Sequence, residues 1–376
     1  MLAAGLAWLA VLAWPTAEGP AAGPLWAVDD LLGGGDDGFA RVTGAGPFAF
    51  PRDHGPHPAY RHEWWYLTGQ LEDPGGRRFG FQVTFFRFGI TPTPAAVESP
   101  SAWRSGSIYL AHFGLTDVAG ARLLASERFA RPVLGLAGAQ AEPFAVWVEE
   151  WRLDGMPGST FPLRLELASD AAALALELQP TKPLVAHGDG GTSRKGPGAG
   201  NATRYYALTR LAASGRLRLA GRDFSVRGSA WLDREWGSSA LGAGVQGWDW
   251  FGLQLDDGRD LMLYRLRRDD GSADPFSAGS VVAPDGAVTP LAADDFSVQV
   301  LDHWRAADGV AYPARWRLRV PGHDLDLEVA PLVADQELRL AVRYWEGAVA
   351  VTGSVGGRGY AELTGYAGAA RAGPPR

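Results

Sequence analysis

Short runs in which apolar and polar residues alternate recur through most of the chain, at residues 64–71, 79–88, 163–167, 174–178, 217–219, 224–231, 248–255, 261–266, 316–320, 325–329 and 348–355. A period of two puts successive side chains on opposite faces of an extended strand, so each run predicts a strand with one face turned inward. Gly, Asp and Pro stand between the runs and supply the turns. No segment carries a comparable helical period. The 15 Trp, 16 Phe and 10 Tyr concentrate in the runs, as expected where large side chains pack on a pleated surface. The pattern predicts an all-β protein. It begins near Phe48, and residues 1–47, beyond an apolar start, are mostly Ala, Gly, Pro and Asp and read as a leader and linker.

The pattern also repeats. Trp64-x-Tyr66-x-x-x-Gln70-Leu71-Glu72-Asp73 matches Trp248-x-Trp250-x-x-x-Gln254-Leu255-Asp256-Asp257 at an offset of 184. Phe161-Pro162-x-Arg164 followed by Leu174-x-Leu176-Glu177-Leu178-x-Pro180 matches Tyr312-Pro313-x-Arg315 followed by Leu325-x-Leu327-Glu328-Val329-x-Pro331 at an offset of 151. Order is kept while the offset shrinks, so the second copy is a shortened version of the first. The expected parts are a first β-domain over 48–238 and a second over 239–370. Antiparallel strands in this number must close or curl to hide their edges, which predicts two tandem barrels, and a barrel of about eight strands leaves room for one apolar ligand.

Composition narrows the functions. A length of 376 residues accommodates two domains, and a net charge of −7 without a basic cluster argues against nucleic acid. The absence of Cys removes disulfides, thiolate nucleophiles and iron–sulfur clusters. Residues 2–14 form an apolar run suited to a signal-peptide core and too short to span a bilayer, with Ala17 and Ala21 as cleavage candidates, although the first basic residue is Arg41. The expectation is a periplasmic or secreted protein with no transmembrane span after cleavage.

Familiar catalytic signatures are mostly missing. His62-Glu63-Trp64-Trp65-Tyr66 starts like the zinc motif HExxH but has Tyr66 in place of the second His and lies on a strand. His54, His57 and His62 crowd a Pro- and Gly-rich stretch, and no metal or other cofactor is expected of them. No Gly-x-Ser-x-Gly elbow occurs, and Gly242-Ala243-Gly244-Val245-Gln246-Gly247 precedes a strand rather than a helix, so it reads as a turn between domains. What remains are acids beside aromatics: His62-Glu63-Trp64-Trp65-Tyr66, Asp233-Arg234-Glu235-Trp236, Trp248-Asp249-Trp250 and Tyr344-Trp345-Glu346. A carboxyl against an indole face is either desolvated, and so fit to donate a proton, or paired with a nearby Arg.

The segments HEWWYLTGQL and GFQVTFFR (62–71 and 80–87), GSAWLDREWGSS (228–239), GWDWFGLQLDDG (247–258), YWEGAVAVTG (344–353) and GYAELTGY (359–366) resemble the carotenoid 1,2-hydratase (hydroxyneurosporene synthase) and AttH-like family of lipocalin-like proteins, which includes predicted secreted hydrolases. The resemblance implies two lipocalin-like barrels binding a hydrophobic isoprenoid or lipid-like molecule. It implies either a hydro-lyase that protonates a C=C and adds water, or a non-catalytic ligand carrier serving an ABC exporter permease. By the resemblance Asp249 is the first candidate acid and Glu235 the second. His62, Trp64, Tyr66, Arg234, Trp236, Trp248 and Trp250 are the candidate ligand contacts. Two positions depart from the carotenoid branch: Arg234 stands where a His is expected and Gly247 where a Tyr is expected. On a strand, moreover, Asp249 faces away from Trp248 and Trp250, and a site between the barrels accommodates it better than one inside either.

Overall fold

In a computed structural model, which describes residues 38–92, 105–238, 241–242 and 244–369, the chain forms two curled antiparallel sheets, one a nearly closed barrel and the other a half-barrel. The leader expected at residues 2–14 lies outside the described residues. Residues 38–47 of the expected linker do pack: Val42 is buried, and the Ser238 hydroxyl donates to the Ala40 carbonyl.

The first sheet contains β1 (His62–Glu72), β2 (Arg78–Gly89), β3 (Ser107–Asp117), β4 (Arg122–Ala130), β5 (Ala137–Ala141), β6 (Phe144–Val148), β7 (Trp151–Met156), β8 (Ser159–Ala168), β9 (Ala172–Pro180), β10 (Val185–Ala186), β11 (Thr192–Arg194), β12 (Ala202–Leu219) and β13 (Arg222–Gly237). Its path is β4-β3-β2-β1-β13-β12-β9-β8-β7-β6-β5, with β10 and β11 added on β12. The second contains β14 (Val245–Leu255), β15 (Asp260–Arg268), β16 (Ala278–Val282), β17 (Val288–Leu291), β18 (Ser297–Arg305), β19 (Ala311–Val320), β20 (Leu325–Pro331), β21 (Glu337–Arg339), β22 (Arg343–Gly353) and β23 (Gly357–Leu363). Its path is β17-β16-β15-β14-β23-β22-β20-β19-β18, with β21 on β22.

Nine strands follow the same order in both paths, and the sequence repeats fall on matching members: β1 with β14, β8 with β19, β9 with β20. Nothing in the second path corresponds to β5 and β6, and the connection between β15 and β16 is shorter than that between β2 and β3; both differences shrink the repeat offset. With fewer strands the second sheet curls only halfway.

Alternation then sorts the side chains. On β1, Trp65, Leu67 and Leu71 enter the first barrel's core, and on β14, Phe251, Leu253 and Leu255 enter the second. The outer faces of β1, β12 and β13 pack against those of β14, β15, β22 and β23 in a third apolar cluster that includes Tyr66, Tyr205, Trp231, Trp250, Tyr264 and Tyr360. The sheets approach closely, since a Cβ on Gly80 would sit 2.5 Å from the Tyr360 hydroxyl and 2.8 Å from Ala348 Cβ. Two repeat-equivalent glutamines fasten them reciprocally. Gln70 Nε2 donates to the Val349 and Gly359 carbonyls (2.8 and 2.9 Å), and Gln254 Nε2 donates to the Thr209 and Ala230 carbonyls (2.7 and 3.0 Å). Thr209 lies in a β-bulge between Leu208 and Leu211, unpaired with β13, so its carbonyl is free to accept.

Candidate functional site

Beside the glutamines the two sheets part around a cavity with about 1120 Å³ of space not filled by protein atoms, counting the solvent at its mouth. The first sheet contributes His62, Trp64 and Tyr66 from β1, Thr84, Phe86 and Phe88 from β2, and His112 from β3, together with Thr203, Tyr205, Asp233 and Glu235 from β12 and β13. Opposite stand Trp248, Trp250, Tyr264, Tyr344, Glu346 and Glu362. Lys195, which follows β11, reaches in from the side.

Of the residues expected from the sequence, Glu235, His62, Trp64, Tyr66, Trp248 and Trp250 meet here. Asp249, Arg234 and Trp236 do not line the cavity, because each occupies the alternate face of its strand. Asp249 points into the second sheet's interior, where the Tyr366 hydroxyl donates to it at 2.8 Å and Arg267 pairs with it at 3.1 Å. Burial pushes its pKa up against the pull of Arg267. Arg234 and Arg87 both bind Glu63 inside the first barrel, with Arg234 3.8 Å above the Trp65 ring. Burial works against the Glu63 charge, yet the Arg234 and Arg87 guanidinium groups outweigh it and hold the carboxyl well below the usual range. Trp236 stacks on His57 in the same enclosure, at 3.8 Å between centroids. These groups are internal ion pairs and their cover.

Acids that the sequence reading left unassigned stand in the cavity instead. Asp233 accepts hydrogen bonds from Trp231 Nε1 and the Tyr205 hydroxyl, both 2.7 Å, and burial pushes its pKa up to about 8. Glu346 and Glu362 are direct cross-strand partners on β22 and β23, a placement that brings Cβ atoms to about 5 Å. Burial lifts Glu362 to about 8, and burial together with the neighbouring Glu362 carboxyl lifts Glu346 well above the carboxylate range. Glu346 is buried beside the Tyr66 and Tyr344 hydroxyls, whose hydrogen bonding pulls against this rise without cancelling it.

Glu235 differs from these acids. It accepts from the Thr203 hydroxyl and lies 3.3 Å from Lys195 Nζ. Burial opposes the Lys195 charge, but the Glu235 carboxylate outweighs it and the pKa rises. His62 and His112 are pushed down to about 3 by burial and are neutral imidazoles. His54 bonds Tyr206 inside the first barrel and His57 bonds Glu63, so the three histidines grouped in sequence do not converge. Among the described residues, no group of three or more His, Cys, Asp or Glu side chains is placed to hold a metal, and no helix is long and apolar enough to cross a membrane.

The signal for the unassigned acids lies in the sequence. Glu346 shares a strand face with Tyr344, and Glu362 shares one with Tyr360, so each is a carboxyl in an aromatic period-two row.

A family model described as AttH-like matches residues 41–366. A crystal structure of an AttH protein from Nitrosomonas europaea is 35% identical, with a TM-score of 0.78, covering 87% of this chain and 100% of that one. Kievitone hydratase from Nectria haematococca superposes with a TM-score of 0.64 at 16% identity, covering 87% and 98% of the two chains. CghA does so with a TM-score of 0.50 at 16% identity, covering 88% and 97%. No curated protein matches the chain.

Proposed function

The chain belongs to the AttH-like family, and we propose that within it this protein adds water to a carbon–carbon double bond of a hydrophobic isoprenoid or lipid-like molecule held between its two sheets. The observation that carries this reading is the Glu346–Glu362 pair, two adjacent carboxyls raised out of the ionised range in an aromatic cavity. Like charges this close cannot both ionise, so at neutral pH the pair holds a proton it can give. One carboxyl protonates the alkene at its less substituted carbon. The tertiary cation is stabilised by the faces of Trp248, Trp250 and Tyr66. Water adds to it, and the proton that water sheds returns to the carboxylate, so the enzyme is regenerated and the net change is alkene plus water to alcohol. This assigns the acid to Glu346–Glu362 in place of Asp249, and leaves Glu235 as a cavity residue fixed by Lys195. Acyclic carotenoids are one substrate of this class, and a periplasmic or secreted location belongs to the same reading.

The test is incubation with acyclic isoprenoids in isotopically labelled water. Labelled hydroxyl appears in the product, and Glu346→Gln and Glu362→Gln each lower turnover by about a hundredfold or more while ligand affinity stays within about twofold. Because the acid must hold its proton, the rate falls as pH rises through about 8. A bound molecule that is never altered overturns the hydratase and favours a carrier serving an export system.

A further inference from the structure

The cavity has two unlike ends, fixed by strand order. Across the first sheet the lining strands run β12, β13, β1, β2 and β3, at about 4.8 Å per step. At the β12 end stand Thr203 and the Lys195–Glu235 pair; toward β3 stand Phe86 and Phe88, with His112 and Tyr344 beyond them hydrogen-bonded to each other. Across the second sheet the order is β15, β14, β23, β22. The walls face one another in matching order. Lys195 Nζ lies 3.9 Å from the ring centre of Tyr264 on β15, and His112 on β3 lies 2.9 Å from the hydroxyl of Tyr344 on β22. Glu362 therefore stands two strand steps from the Lys195 end and Glu346 three, or about 10 and 14 Å.

The charges at the Lys195 end cancel; the Thr203 and Tyr264 hydroxyls donate to Glu235 and to the Arg194 carbonyl and keep oxygen lone pairs that can accept, while the ammonium has more donors than its pairing with Glu235 uses. An anionic head would place a second negative charge beside Glu235. A plain hydrocarbon would desolvate these groups and return nothing to them. We propose that the cavity takes a neutral amphiphile, with an uncharged oxygen-bearing head such as a hydroxyl or phenol at Lys195, Glu235 and Thr203, and a hydrocarbon tail running to Phe86 and Phe88. Its double bond lies about 10–14 Å from the head. The position of the double bond rests on the hydratase reading; the head and tail assignment does not.

The experiment titrates the full chain with three matched C15 probes, farnesol, the hydrocarbon farnesene and the anion farnesoate, following tryptophan fluorescence and native mass spectrometry. Farnesol binds at least tenfold more tightly than either of the others. The double variant Lys195→Gln with Thr203→Val brings farnesol down to the level of farnesene without weakening farnesene, whereas Phe88→Ala weakens both equally. Equal affinity for alcohol and hydrocarbon in the wild type overturns the proposal, as does tightest binding of the anion. So does an alcohol preference that survives in the double variant. If a variant does not fold, the wild-type series decides alone. Alcohol-selective binding without labelled product would sink hydration and leave the bipolar cavity standing.

Discussion

Adjacent residues on a strand meet different worlds, and here the difference separates a ligand contact from an internal ion pair. Glu235 meets the cavity while Arg234 and Trp236 beside it do not; Trp248 and Trp250 meet it while Asp249 does not. We expect Asp249→Asn to weaken the fold by on the order of 3 kcal/mol, the cost of leaving Arg267 without its buried partner, and to leave turnover per folded molecule unchanged. Thermal melts and the labelled-water assay separate the two effects. Glu63→Gln strands two guanidinium groups inside the first barrel and is expected to cost about 3–5 kcal/mol, read as a lower denaturant midpoint. Asp233 gives a pH signature. The unfolded chain releases its proton near 3.8 and the folded chain keeps it to about 8, so the stability due to the neutral carboxyl is complete below about pH 4 and is lost as pH rises through 8. Asp233→Asn should therefore lose less stability than the wild type between pH 5 and pH 9 in urea titrations.

Exposure of one face does not by itself decide which strands are legible: β1 and β14, buried at nearly every position, are legible as runs, whereas the half-exposed β4 and β18 are not. The second half of β12, with exposed positions at every other residue, shows its alternation over 217–219, whereas its first half, buried on both faces between a barrel core and the facing sheet, shows none. β3 is buried at nearly every position for the same reason and carries no alternation to read. Of the strands that build the cavity, β1, β2, β13, β14, β15 and β22 are thus legible at least in part, whereas β3, β23 and the first half of β12 are not. Their docking depends on the two glutamines, whose place in the internal repeat was visible although their partners were not. Gln70→Leu or Gln254→Leu removes two hydrogen bonds to buried carbonyls, at about 1–3 kcal/mol each variant, and lets the walls shift. The double variant is expected to split a single unfolding transition into two and to weaken probe binding in the cavity, as calorimetry and fluorescence titration would record; one unchanged transition would deny the clasp.

At the scale of the molecule, the duplication read from two short repeats is a duplication of strand order, carried through nine strands. The location of the site was less accessible. Alternation assigns residues to two faces without saying which face becomes the inside of a barrel, and here the ligand space lies between the outer faces. Both faces are apolar, which is why the sequence admitted either placement. The same arrangement sets a timetable for biosynthesis. When the ribosome finishes β13 at Gly237, the first sheet has all its strands, yet Trp64, Tyr66 and Phe86 face water until β23 is made, more than a hundred residues later. At about 5–20 residues per second that interval is on the order of ten seconds, during which a nascent chain presents an unfinished, sticky wall to chaperones and to its neighbours on the polysome.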